Sequence, residues 1–67
     1  MKDYFTKYTV IISWSPEDNA FIAMAPQLDN CVVHSNTTAQ ALKDLNQAIE
    51  DWLDAATEYG WEIPKEF

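Results

Sequence analysis

The stretch from Thr37 to Gly60 constrains this chain most, because it reads as a single amphipathic helix of about six turns. Thr37, followed three residues later by Gln40, fits a capping box, in which each side chain satisfies a backbone N–H that the first turn leaves free. Gly60 follows the last periodic residue, where a left-handed C′ position favours a residue without Cβ. Between them Ala41, Leu42, Leu45, Ala48, Ile49, Trp52, Leu53 and Ala56 recur at three- and four-residue spacing and make one apolar stripe. Charged and amide side chains, Asp44, Asn46, Glu50 and Asp54 among them, make the wet face. A lone helix cannot hide such a stripe, so the rest of the chain must supply a surface for it.

The residues before the helix alternate with the period of strands. From Phe5 to Ser15, Tyr8, Val10, Ile12 and Trp14 fall on one face, and Thr9, Ile11 and Ser13 on the other. Ser15-Pro16-Glu17-Asp18-Asn19 has turn chemistry: Pro16 presets φ, while Asp18 and Asn19 bond their own backbone. Ala20 to Ala25 is then a second strand, antiparallel to the first, ended by Pro26, which offers no N–H to a ladder. A helix laid over a sheet needs low side chains at closest approach, which places Ala23, with Ala25 as a further candidate, beneath it. Asn30 is the best non-glycine candidate for a positive φ in the loop anchored by Leu28. Cys31 to His34 is short and apolar enough for a third strand. Trp61 to Pro64 is too short for an independent element and suits a brief fourth strand or a cover over the end of the sheet. The class is α+β: a three-stranded antiparallel sheet with one long helix on one face, in the order β-β-β-α with an optional closing β.

Size and charge narrow what such a layer can do. Sixty-seven residues make one domain, spanning residues 1–67. A domain of this size buries only about 60% of the surface its unfolded chain exposes, so its core is thin. Cys31 is the single cysteine and excludes an intramolecular disulfide, leaving self-association as the expected extra source of stability. The lone thiol, the absence of an initial basic-then-apolar signal and a longest apolar run of six residues, Ala20 to Ala25, point to a cytoplasmic protein. Eleven acids against four bases give a formal net charge of −7. That surface repels phosphate backbones and attracts basic partners, although acidity of this order also serves solubility alone.

The run Ala20-Phe21-Ile22-Ala23-Met24-Ala25-Pro26-Gln27-Leu28-Asp29-Asn30-Cys31 resembles the hallmark of HicB-like antitoxin domains of bacterial toxin–antitoxin systems. In that family an aromatic strand ends in Pro-x-Leu-x-Gly-Cys, and a short strand leads to a Gly-Asp-Thr-x-x-Glu-Ala-Leu helix start. That start is matched here by Ser35-Asn36-Thr37-Thr38-Ala39-Gln40-Ala41-Leu42, the family's late Trp-Leu by Trp52-Leu53, and its closing Gly-x-x-Ile-Pro by Gly60-Trp61-Glu62-Ile63-Pro64. Asn30, Asn36 and Gln40 depart from the usual Gly, Asp and Glu. The resemblance implies a partial ribonuclease-H-like layer without catalysis of its own, whose typical members neutralise a small basic RNA-cleaving toxin, HicA. Many members add a C-terminal DNA-binding domain; the match here reaches only the HicB-like domain, so promoter binding is not expected.

No constellation of catalytic groups emerges. Ribonuclease-H chemistry needs several strand carboxylates around divalent metals, and the nearest acids, Glu17 and Asp18, sit in a turn. His34 and Cys31 are three residues apart, which on a strand sends them to opposite faces. The expectation is a protein that is not an enzyme, with no cofactor, no metal, no membrane and no direct nucleic-acid contact. Its expected partners are a HicA-like basic toxin and further copies of itself. Glu17, Asp18 and Asp29 are the candidate acids for a basic partner, if their loops share one end of the sheet. Ile11, Ile22 and Met24 are the candidate oligomer contacts, because they fall on the face the helix leaves bare. Trp52 reads as core, whereas Trp14 and Trp61, at element ends, suit core or a binding platform equally. The alternatives are a stand-alone oligomeric binding domain without a toxin and, further off, a degenerate ribonuclease-H-like enzyme.

Overall fold

Three short strands, β1 (Ile11–Ser15), β2 (Ala20–Met24) and β3 (Val32–Ser35), pair antiparallel in the order β1-β2-β3, and one helix, α1 (Thr38–Tyr59), packs on one face. This is the expected α+β arrangement, seen in a computed structural model that describes residues 4–65. The register sets Ile12 opposite Ala23 and Trp14 opposite Phe21, and continues with Phe21 opposite Ser35 and Ala23 opposite Val33. Those residues form the helix side of the sheet. Ile11, Met24 and Val32 lie in register on the other side, as do Ser13, Ile22 and His34.

The first strand is shorter than its alternation suggests. Tyr4–Thr6 forms a 3-10 helix, and the Tyr4 carbonyl accepts the N–H groups of both Lys7 and Tyr8 at 3.0 Å. Asn46 of α1 holds this turn by accepting the Tyr4 N–H at 2.9 Å. The ladder stops at Ile11 for a reason that lies just past the end of β2. Continued outward, the register would bring Thr9 opposite Pro26, whose nitrogen cannot donate. Thr9 instead gives its N–H to the Gln27 side chain, so that backbone group stays satisfied. The expectation for Met1 to Asp3 lies outside the described residues.

Both ends of α1 are where the sequence puts them. Thr37 is the N-cap, and its hydroxyl oxygen accepts the Gln40 N–H at 3.1 Å. The capping box is only half formed, because the Gln40 amide donates forward to Asp44 at 2.8 Å rather than turning back. Gly60 takes φ 73°, and the N–H groups of Gly60 and Trp61 both reach the Ala56 carbonyl. The apolar stripe meets the sheet over β2 and β3. Leu28, Leu45 and Ile49 are fully buried there, each side chain contributing about 1.5–3 kcal/mol of burial free energy. Ala23, Ala25 and Ala41 are equally buried, which puts Ala23 on β2 and Ala25 just beyond it in the core as their size requires.

Helix and sheet differ in length. Twenty-two helical residues span about 33 Å, against about 17 Å for a five-residue strand. The helix therefore overhangs the sheet, and the molecule's longest dimension is 36 Å. The β2–β3 loop and the segment after the helix meet at the overhang. Leu28 anchors that loop, and Asn30 takes φ 58° as its position demands. Trp61 to Lys65 forms no strand. It is tied instead to the end of the sheet, with the Tyr8 hydroxyl donating to the Pro64 carbonyl at 3.3 Å and the Gln27 amide to the Lys65 carbonyl at 3.2 Å.

Asp44 locks the second turn of the helix to β3. It accepts a hydrogen bond from the hydroxyl of buried Ser35 at 2.7 Å, and this bond, with the Gln40 amide and nearby Lys43, holds its carboxyl below the ordinary value of 3.8. A carboxyl lowered on folding stabilises the fold above its unfolded pKa, and that contribution is lost as pH falls through the folded value. Thermal melts between about pH 5 and about pH 2 should therefore fall more steeply for the natural chain than for Asp44→Asn, which cannot titrate. Parallel curves would contradict the role given to Asp44.

Candidate partner-binding surfaces

Three surfaces present chemistry outward. The first is the open face of the sheet. Ile11, Met24 and Val32 stand side by side across all three strands, each more than a third exposed, with Ile22 in the next row. Ile11, Ile22 and Met24 are thus together on the bare face, and Val32 joins them. Its alternation was legible, but the third strand was too short to weigh.

The second surface is acidic, and here the structure separates what the sequence grouped. Glu17 and Asp18 occupy the β1–β2 turn, whereas Asp29 lies in the β2–β3 loop at the opposite end of β2. Antiparallel connectivity forces this, since successive hairpins close at alternate ends of a sheet. Asp18 is already engaged: its carboxylate accepts the Ser15 hydroxyl at 3.0 Å and stands 3.8 Å from Nε2 of His34, an exposed pair of small energetic value. The turn itself is set by Asn19 at φ 51°.

Cys31 and His34 do not form a pair. Cys31 is in the core, where burial pushes its thiol pKa up and keeps it protonated near neutrality, the form that is a poor nucleophile. His34 is on the open face, in register with Ile22. Among the described residues no three His, Cys, Asp or Glu side chains gather to hold a metal ion. Among them, too, no helix is long and apolar enough to cross a membrane.

The third surface forms at the helix overhang. A cleft of ≈ 600 Å³ opens there between Trp52 and Trp61, with Asp29, Asn30 and Glu62 completing its lining. A main-chain carbonyl holds the Trp52 indole, and another holds the backbone at Trp61. The Trp52 ring N–H donates to the Asp29 carbonyl at 2.9 Å, which clips the helix to the β2–β3 loop. Trp61 follows Gly60, and its own N–H is tied to the Ala56 carbonyl at 2.9 Å. The left-handed turn at Gly60 swings Trp61 back beside the helix, with its ring 5.8 Å from Trp52 and 5.6 Å from Tyr59. Trp61 remains 51% exposed, so it belongs to the surface rather than to the core. Trp14 is also exposed, but pairs edge-on with Phe21 at the far end of the sheet. Sequence spacing alone could not bring Asp29 and Trp52 together across 23 positions.

These features can be set beside known proteins. The chain is 30% identical over 60 residues to the UPF0150 protein Ta0767 of Thermoplasma acidophilum, a match covering 90% of this chain and 86% of that protein. The chain belongs to the UPF0150 family. No family model matches it, and no solved structure does.

In this UPF0150 chain the aim of Trp61 depends on Gly60. A Cβ there would meet nothing within 4 Å, so the cost of Gly60→Ala is purely that of the left-handed backbone, about 1–2 kcal/mol. The variant should lower the urea midpoint accordingly and weaken the near-ultraviolet dichroism of the Trp52–Trp61 pair. Unchanged midpoint and spectrum would refute this account of the turn.

Proposed function

We propose that this UPF0150 chain is a non-catalytic antitoxin-type binding protein of the HicB-like kind, which neutralises a small basic RNA-cleaving toxin by covering its active surface. The observation that carries the reading is the loop from Pro26 to Cys31, where each residue of the HicB-like pattern has a physical task. Pro26 ends the ladder, Leu28 is buried as the anchor, and Asn30 supplies the positive φ for which the family uses Gly. The Ala25 N–H then meets the Cys31 carbonyl at 3.0 Å and closes the loop. The net charge of −7 supports a basic partner and disfavours a polyanionic one, since like charges oppose encounter. The chemistry of the surface also fits a binder better than an enzyme: its lone thiol is buried and its lone histidine already faces Asp18.

A second reading, a stand-alone oligomeric domain without a toxin, draws support from the row Ile11, Met24 and Val32. Contiguous apolar side chains on an open sheet face are what a second copy would cover. The two readings separate in one experiment. The chain is tagged in its own host, recovered under native conditions, weighed by native mass spectrometry and assayed for what its companions do to RNA. The antitoxin reading expects a hetero-complex with a small basic protein that cleaves RNA when freed and is silent when bound. Homo-oligomers alone, or a companion whose RNA cleavage persists in the complex, would overturn it.

A further inference from the structure

The cleft at the helix overhang has a composition that selects its ligand. Two tryptophans, Trp52 and Trp61, line it, and its two charged lining residues, Asp29 and Glu62, are both acidic. Neither carboxylate has an ion-pair partner among the described residues. An anion would meet two like charges there. A neutral apolar group would strip water from both carboxylates with nothing to replace it, a cost that grows with burial. A cation with a flat, weakly hydrated face suffers neither penalty. It can lie against an indole, whose ring face is electron-rich, and donate N–H groups to the acids at its edge.

Guanidinium fits that description better than ammonium, because it is planar, presents a fork of donors and sheds water more readily. The cleft is also held ready. The Trp52 ring N–H is engaged with the Asp29 carbonyl, and the main chain at Trp61 is fixed through the Ala56 carbonyl, so the Trp52 wall and the backbone that carries Trp61 are in place when a ligand arrives. The molecule's excess of acids adds a field that draws cations toward it. We propose that the Trp52–Trp61 cleft is an arginine-binding site, which receives a guanidinium side chain displayed on the surface of a basic protein partner. As a statement about a partner, this rests on the antitoxin reading; as a statement about the cleft's ligand chemistry, it does not.

The test uses the natural chain with Trp14→Phe, so that the indole signals come from the cleft, and N-acetyl-arginine-N-methylamide as the probe. Its citrulline counterpart, of similar shape without the charge, is the control, and indole and amide resonances are followed by NMR. Saturable shifts should appear at the Trp52 and Trp61 indoles and the Asp29 and Glu62 amides, and citrulline should produce none. Trp61→Ala should weaken the site about tenfold, the effect of losing one cation–π contact and its wall. Glu62→Gln, which keeps the shape, should weaken it about threefold and flatten its salt dependence. Equal shifts from arginine and citrulline, or shifts spread evenly over the acidic surface, would overturn the proposal. A toxin complex that forms undiminished with Trp61→Ala would remove the cleft from the interface while leaving the antitoxin reading intact. Arginine binding in the cleft without any toxin would uphold the site and sink that reading instead.

Discussion

The helix can approach the sheet closely because both surfaces carry methyl groups where they meet. Ala23 in β2, Ala25 just after it and Ala41 on the helix are almost wholly hidden from water. Around them the larger side chains Leu28, Leu45 and Ile49 fill the space that the alanines leave. In so small a domain the core has no second layer to absorb an error. Close approach is thus what lets a few aliphatic side chains exclude water, and the hydrogen bonds that Asn46 accepts from Tyr4 and Asp44 from Ser35 fix the helix in rotation and along its axis.

The same packing makes the cleft. A helix about twice as long as the strands must run past them once its first half is seated. The projecting half cannot be covered by strands, so a loop and the returning C-terminal segment close over it, joined through Trp52, Tyr8 and Gln27. The cleft is the gap that remains between these covers. The opposite face of the sheet stays bare, and its apolar row is the other consequence of having one helix for two faces.

How much of this could be read in advance depends on how local the cause is. The caps at Thr37 and Gly60 and the positive φ at Asn30 are decided within a few residues, and each is found where the residue type predicts it. The burial of Ala23 follows from size and periodicity together. The true start of β1 was hidden, because it is set by Pro26 just past the neighbouring strand and by the alternative partner Gln27 offers to Thr9. The alternation through Tyr8 and Val10 is real, but both serve a packed coil rather than a ladder. Grouping Asp29 with Glu17 failed for a topological reason, since the two hairpins close at opposite ends. The Trp52–Trp61 cleft was half legible: Trp61 stands at an element end, but its neighbours come from the other side of the fold.

The central claim is that the helix rests on a floor of small side chains, and Ala23 is the place to challenge it. Ala23→Leu adds three carbons under the helix at a fully buried position, and overpacking of that kind costs about 1–3 kcal/mol. Urea unfolding followed by far-ultraviolet dichroism, with Met24→Leu on the bare face as the comparison, measures it directly. The account predicts a clear drop in midpoint for Ala23→Leu and little change for Met24→Leu. Equal midpoints for the two variants would contradict it.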